Sequence, residues 1–298
     1  MITIKEALTK KEMKDYVMFS FELYKNNPYW IPPIIAEELE TFDKTKNPAL
    51  QTAEAHFYLA YKDNKIVGKI AAIINWEEVN LLGKRKARFG WFDAIDDIEV
   101  TKALLDKVEE LGRKHNMDHM EGPMGFSNLD KVGILSEGFD QMGNMITWYS
   151  LPYYITHFEQ LGFIKEKEYT ESDFSFNGIN PEPFQKASEL IKKRYELRSL
   201  NFTKTKDIMP YVDKMFDLFN ETYAKLQSFV PINDIQKAYF KKKYISFINP
   251  EFIKFIVDKN DNMIAFAIVM PGFAQALKKA NGKLFPFGFY HLLQARKH

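Results

Sequence analysis

Cysteine is absent from all 298 residues. That excludes disulfides, thiolate metal sites and cysteine nucleophiles, and it fits a reducing compartment. A strong charge of either sign is missing too: 41 Lys and Arg against 40 Asp and Glu leave a net +1. Electrostatics therefore give no reason to expect nucleic acid or an anionic membrane as a partner. The longest uncharged run, QMGNMITWYSLPYYITHF (141–158), holds Gln, Asn, Ser, Thr, His and Pro and is too polar to span a bilayer. The N-terminal MITIKEALTKKEMKDY lacks the apolar core of a signal peptide. These absences predict a cytoplasmic protein. No Walker-type loop, Gly-x-Ser-x-Gly elbow or dinucleotide fingerprint occurs. His115 and His119 are spaced i, i+4, but Asn116 to Met120 reads as a helix end running into a strand, so no metal site is expected.

What is present is a large apolar fraction, 46%, with 26 Phe and 15 Tyr, enough for well-packed cores in two domains or one large one. Self-comparison finds a repeat. YVMFSFELY (16–24) matches YVDKMFDLF (211–219) at an offset of 195 residues, and FYLAYKDNKIVGKIAAI (57–73) resembles IKFIVDKNDNMIAFAIVM (253–270) at an offset near 198. Each of the second pair reads as a β-hairpin with a polar turn. Two matches in the same order predict a tandem duplication.

Periodicity gives the first copy the order β-α-α-β-β-β-α-β-α-β-β. ITIKEA leads into helices over 8–24 and 32–41, separated by NNPYWIPP, whose prolines cannot sit inside a helix. The hairpin 56–74 and a strand near 88–94 follow. A helix over 98–115 buries Val100, Leu104, Val108 and Leu111 on one face. A strand near 118–121, a loop with five glycines over 122–143, a helix from Pro152 to Gly162 and a strand pair over 164–177 complete it. The second copy starts near Leu197, has helices over 207–227 and 233–247 and the second hairpin, and then two short helices about Gly282 and Pro286. No counterpart of the strand–turn–helix 89–112 comes after that hairpin. The fold class predicted is α/β of the α+β type, with a complete domain over 1–180 and a partial, truncated second domain over 181–298.

This element order, with FEQLGF closing the fourth helix, resembles the GNAT acyltransferase superfamily, and NNPYWIPP, EGPMGFSNLDKVGILSEGFD and NGKLFPFG are similar to stretches of its tandem bacterial members. The resemblance implies tandem GNAT-like mixed sheets flanked by helices. It also implies acetyl-CoA or another acyl-CoA in a V-shaped gap between the fourth and fifth strands. The coenzyme's pyrophosphate would sit on a glycine-rich loop at a helix N-terminus, where backbone N–H groups and about half a positive charge favour an anion. On this chain that loop falls at DAIDDIE (93–99), making Phe92, Ala94, Ile95, Asp96 and Asp97 the positional equivalents of the cofactor site. The glycines are missing, and Asp93, Asp96, Asp97 and Glu99 stand in their place. Acids in a first helical turn are capping residues by default. A carboxylate about 5 Å from a phosphate charge repels it by roughly 1–3 kcal/mol. The family's proton-donating Tyr maps to Phe158, which has no proton to give.

Tyr153, Tyr154 and Glu121 are the remaining candidates for acid or base. Tyr154 and Phe158, i and i+4 with Leu161 near, also fit an apolar packing face, and His157 fits a solvated or capping role. The leading expectation is an acyl-CoA N-acyltransferase-like protein whose first copy is degenerate and non-catalytic, with the acetyl-CoA site in the missing part of the second. The alternatives are an active first copy with an altered site, and a non-enzymatic module binding a small molecule or peptide or serving assembly.

Overall fold

The computed structural model describes residues 1–127, 129–226, 229–245 and 248–296. Contacts divide the chain into two compact units, one of residues 1–163, 226–230 and 271–298, the other of 164–225 and 231–270.

In the first unit β1 (Ile2–Glu6) leads through a capping box at Thr9 and Glu12 into α1 (Lys10–Leu23). Next come α2 (Ile35–Thr41), the single turn α3 (Ala49–Thr52), β2 (Ala53–Lys62), β3 (Lys65–Asn75) and α4 (Trp76–Leu82). The unit continues with β4 (Lys86–Ala94), α5 (Ile98–Lys114), β5 (His119–Glu121) and α6 (Tyr153–Gln160). The sheet order is β1-β2-β3-β4-β5, antiparallel except for the parallel β4–β5 pair. The turn between β2 and β3 places Asp63 and Asn64 at φ 52° and 60°, the left-handed pair that a two-residue hairpin needs.

Side chains alternate across this sheet. Ile70, Ala72 and Ile74 of β3 pack with Val100, Leu104, Val108 and Leu111 of α5, the face read from the sequence. Ala71 and Ile73 pack on the other side with Tyr16 and Val17 of α1. Gly68 makes the α5 contact possible: a Cβ there would lie 2.8 Å from Leu104 Cδ1. One extra residue in β4 then reverses its alternation. The register slips between Lys69 opposite Asp93 and Ala71 opposite Gly90, with Trp91 at φ 44°. This is a β-bulge. It keeps Phe92 and Ala94 on the α5 side while Trp91 joins the α1 side.

The strand pair expected over 164–177 is not formed. Six charged residues fall between Lys165 and Asp173, and the apolar side chains among them (Ile164, Tyr169, Phe174, Phe176) stay exposed.

The second unit contains α7 (Glu182–Arg194), β6 (Arg198–Asn201), the turn α8 (Thr205–Ile208), α9 (Val212–Tyr223), α10 (Asp234–Phe240) with a π-helical turn after it, and the hairpin β7 (Ile253–Val257) and β8 (Met263–Ile268). Its antiparallel sheet, β6-β7-β8, repeats β1-β2-β3. Phe255 and Ile253 are buried against Ile208, Val212 and Phe216. The far ends of the two helices expected over 207–227 and 233–247 include residues outside the described set. α7 adds a helix to the expected order, although Pro181 before Glu182 and a basic Lys192-Lys193-Arg194 end are helix boundary signals.

The two short helices expected about Gly282 and Pro286 are α11 (Ala274–Ala280) and α12 (Gly288–Ala295). The sequence places them after the second hairpin; in space they cluster with the first unit. The Ile35 N–H donates to the Gly282 carbonyl at 2.9 Å. At Gly282, φ is 77° and a Cβ would sit 2.7 Å from the Phe21 ring, so both conformation and space require glycine. The mixed α/β element order that the sequence implies is thus present as far as β5 in the first sheet and the third strand in the second.

Candidate functional site

The β4–α5 junction has the backbone of an anion site, and its own side chains fill it. Asp97 is the N-cap of α5: its side chain accepts from the Glu99 N–H at 3.1 Å, and its carbonyl accepts from Val100 and Thr101. Lys62 pairs with Asp97 at 2.8 Å. That hydrogen bond, against some burial, holds the Asp97 carboxyl below its ordinary range. Asp96 pairs with His157 Nε2 at 3.2 Å, and His157 Nδ1 lies 2.9 Å from Thr101 Oγ1. His157 is buried, which corrects the solvated or capping role its sequence suggests. The second turn of α6 thus faces Thr101 and Asp96 at the start of α5.

The other positional equivalents are equally engaged. Phe92 packs on Tyr154 and Phe158, with centroids 5.0 and 5.2 Å apart. The Ile95 N–H donates to the Val67 carbonyl. The Ala94 N–H donates to Tyr154 Oη at 3.0 Å, while its carbonyl accepts from Tyr153 Oη at 2.7 Å. Tyr153 and Tyr154, the two candidate acids, are thereby brought together at the end of β4. Burial first, then nearby carboxylates (Asp96 and Asp93 for Tyr153, Asp93 for Tyr154), push both phenols well above their ordinary pKa.

Glu121 is elsewhere. β4 and β5 pair only over Lys86–Arg88 and His119–Glu121. There Lys86 Nζ donates to Glu121 at 2.6 Å and contacts Glu78 at 3.0 Å, while Arg88 Nε binds Glu78 at 2.8 Å. Glu78, Lys86 and Arg88 are all buried. Past this network the two strands do not open a gap. The Met124 N–H donates to the Phe89 carbonyl at 2.7 Å, and Arg88 Nη1 and Asn75 Nδ2 reach the carbonyls of Gly125 and Phe126. A Cβ on Gly90 would lie 2.2 Å from the Met124 carbonyl oxygen. The residues of this junction do not fit an acyl-CoA: the helix N-terminus is capped by an acid, both polar backbone atoms of Ala94 are bonded, and residues 122–126 lie along β4.

On the opposite face of the sheet the bulge aims Asp93 at α1. Ser20 Oγ donates to it at 2.6 Å, Tyr24 Oη at 2.8 Å and Tyr154 Oη at 3.3 Å, and Lys69 Nζ lies at 3.6 Å. Lys69 also sits 4.9 Å from the ring centroid of Tyr16. Burial, then the charge of Asp93, raises the Tyr16 and Tyr24 phenols well above ordinary values. Sequence reasoning groups Asp93 with the phosphate-loop acids and misses its partners. A signal exists, since Tyr16, Ser20 and Tyr24 form an i, i+4, i+8 polar stripe on an otherwise apolar helix face. Beyond Tyr24, an open groove of about 630 Å³ is lined by Asn26, Asn27, Tyr29, Phe139, Tyr149 and Pro152, among others.

Among the described residues, no group of three or more His, Asp or Glu is arranged to hold a metal, and no helix is long and apolar enough to cross a membrane. His298 lies outside the described residues.

No family model matches the chain. It is 28% identical over 295 residues to protein YghO of Escherichia coli strain K12, spanning 97% of this chain and 73% of that one. It is 25% identical over 288 residues to the bacterial ceramide synthase of Caulobacter vibrioides, spanning 96% and 74%. Among solved structures, a tandem GNAT protein from the clavulanic acid biosynthesis pathway, without acetyl-CoA, overlays 89% of this chain and 73% of its own at a TM-score of 0.46 and 11% identity.

Proposed function

We propose that this chain is an acyl-CoA N-acyltransferase-like protein of tandem GNAT type, built from copies over 1–180 and 181–298, whose first copy is a non-catalytic scaffold. The observation that carries this reading is at Ala94. Both of its polar backbone atoms, at the end of the strand that would receive a coenzyme, are bonded to tyrosine hydroxyls of the same chain. In this reading Tyr153, Tyr154 and Glu121 hold the junction together rather than move protons, and a coenzyme site belongs to a counterpart of β4–α5 in a second copy. The reaction class is supported by the likeness to a ceramide synthase along nearly the whole chain; a ceramide is the amide of a fatty acid and a long-chain amino alcohol. The acceptor proposed is accordingly an amine.

Calorimetric titration with acetyl-CoA and palmitoyl-CoA tests the scaffold reading. No binding heat is expected with either; micromolar affinity for one of them would overturn it. A second reading, a non-enzymatic module binding a small molecule or peptide, is favoured by the polar and aromatic groove beyond Tyr24. It would gain if a ligand protected Tyr149 and Asn27 from exchange or labelling while neither thioester bound.

A further inference from the structure

Charge is balanced over the whole chain and unbalanced in one segment of the first unit. Pro271–His298 holds five Lys and Arg and no Asp or Glu, which leaves 36 basic and 40 acidic residues in the rest of the chain. Lys278, Lys279 and Lys283 precede the run LFPFGFYHLL (284–293), and Arg296 and Lys297 follow it. The run itself carries no Lys, Arg, Asp or Glu. In a folded domain an apolar run of this length is too short to span a bilayer and belongs either in a core or at an interface.

Its exposure excludes the core. Ala276 and Ala280 of α11 are buried, as is Phe273 before them, and Gly282 after them lies against Phe21 and Ile35. Along α12, by contrast, only Gly288 is buried. A Cβ there would lie 1.8 Å from the Lys283 carbonyl oxygen, and the Phe289 N–H donates to the Leu284 carbonyl at 2.8 Å. The backbone over 283–289 thus closes on itself, and its large side chains turn outward. Phe285, Phe287, Phe289, Tyr290 and Leu293 are all exposed, the first two at 77% and 70%. The Phe285 and Phe289 ring centroids are 5.7 Å apart, and Phe289 and Leu293 are i and i+4 on α12. These side chains form one patch, and an exposed apolar patch marks an interaction surface.

Charge says what covers it. Neither Lys279 nor Lys283 has a carboxylate partner among the described residues. A second copy of this chain does not fit, because two such segments would oppose cations with no acid between them. A nucleic acid would use the cations and the rings, but Pro286 and Leu293 give its bases nothing to stack on. An anionic bilayer uses every part: apolar side chains enter the acyl boundary, while the Tyr290 hydroxyl and the lysine ammoniums stay among the headgroups. We propose that the α11–α12 segment is an interfacial docking surface, which lays Phe285, Phe287, Phe289, Tyr290 and Leu293 into an anionic bilayer with Lys279 and Lys283 on its headgroup phosphates. The attachment is to the surface, and it needs no coenzyme, so it stands or falls independently of acyl-CoA binding by this chain.

Co-sedimentation with vesicles of phosphatidylcholine alone, and of phosphatidylcholine with one-third phosphatidylglycerol, tests the proposal on the full chain. The wild type should bind the anionic vesicles at least about tenfold more strongly than the neutral ones, and added salt should weaken that binding. Phe285→Ser with Phe287→Ser should lower binding to anionic vesicles at least about tenfold. Lys279→Gln with Lys283→Gln should lower it about 25-fold, at roughly fivefold per lysine, and leave the neutral vesicles unaffected. In the wild type, anionic vesicles should slow hydrogen exchange of the amides around 285–293 and leave β3 unchanged, a readout that does not depend on any variant folding. No vesicle binding, equal binding to the two compositions, variants that bind like the wild type, or unchanged exchange around 285–293 would each overturn it. So would tighter binding to an oligothymidylate than to anionic vesicles, which would assign the surface to nucleic acid, or a dimer that the Phe variants abolish.

Discussion

β3 and β8 occupy the same place in repeated hairpins and have opposite environments. Each is antiparallel to the strand before it, and each hairpin carries one register slip, at Ala60/Tyr61 and at Ile256/Val257. From Val67 to Asn75 every residue of β3 is buried, whereas β8 has no buried residue along its six. The cause lies in the elements next along the chain. β4 pairs with the free edge of β3, and α5 covers one face through Val100 and Leu104. Among the described residues no strand pairs with the free edge of β8, and the next helices cluster with the first unit. A hairpin's own sequence therefore decides its turn and pairing, while the burial of its second strand comes from later elements.

The sharpest way to break the better-covered strand is through its neighbour. Arg88→Ala on β4 leaves the buried Glu78 carboxylate with only Lys86, a lysine it shares with Glu121, and removes the tie to the Gly125 carbonyl. Breaking a buried pair from one side costs about 3–5 kcal/mol. All four tryptophans (Trp30, Trp76, Trp91, Trp148) lie in the first unit, so urea unfolding followed by their fluorescence should show the whole loss. Hydrogen exchange of β7 should stay at its wild-type rate. Ile70→Ala and Ile264→Ala then compare the two strands directly. Ile70 is 0% exposed and Ile264 49% exposed. The first should cost about 2–5 kcal/mol, as buried large-to-small changes do, and the second no more than about 0.5 kcal/mol. Similar losses at both would show that β8 is covered in solution.

The same contrast separates what is legible in the sequence from what is not. Local patterns are legible: the Asp63-Asn64 turn, the apolar face of α5 and the stop at Gly162 are each written within a few residues. The strand pair expected over 164–177 fails because its alternation lacks a partner edge, which is a tertiary property. At the candidate site, Asp96 and Asp97 stand at the helix start as their sequence implies, since capping is local. Asp93 does not join them, because a single inserted residue at Trp91 turns it to the other face, and no residue type announces that bulge.

A cross-sheet cluster on β2 gives the first unit a pH dependence with no counterpart on β7 among the described residues. Burial works to raise the Glu54 pKa. Hydrogen bonds from His56, His115 and Lys114 outweigh it and hold the carboxyl at about 2, against an ordinary 4.5. A carboxyl whose pKa falls on folding stabilises the protein above its unfolded pKa, and that stability is lost as pH drops through the folded value. The Glu54 contribution should therefore be whole at about pH 6 and decline between roughly pH 4.5 and 2. Allowing for solvent at this partly exposed group, it is worth about 1–2 kcal/mol. Glu54→Gln should lose that amount near neutrality and converge on the wild type in acid, as read from urea midpoints across the range. A constant difference down to about pH 3 would mean that packing, not ionisation, is what Glu54 contributes.

The smallest effect bears on the junction where the family resemblance would put a coenzyme. α5 begins on Asp97, and in the second unit α10 begins on Asn233, which forms a capping box with Gln236. The two helices show that the cap requires a side-chain oxygen and not a charge. Asp97→Ala should cost about 1 kcal/mol, the usual loss of an N-cap. Asp97→Asn should keep the cap and give up only the Lys62 pair, whose lysine is 44% exposed, a loss of a few tenths of a kcal/mol, about the value of such surface pairs. If Asn were as damaging as Ala, the carboxylate's charge would be the essential property at this position, and the helix start would have to be treated as an electrostatic device rather than a capped end. If Asn is tolerated, the negative charge at 97 is dispensable for folding, and the same variant, with one fewer acid at the α5 N-terminus, becomes the right protein in which to repeat the acyl-CoA titration.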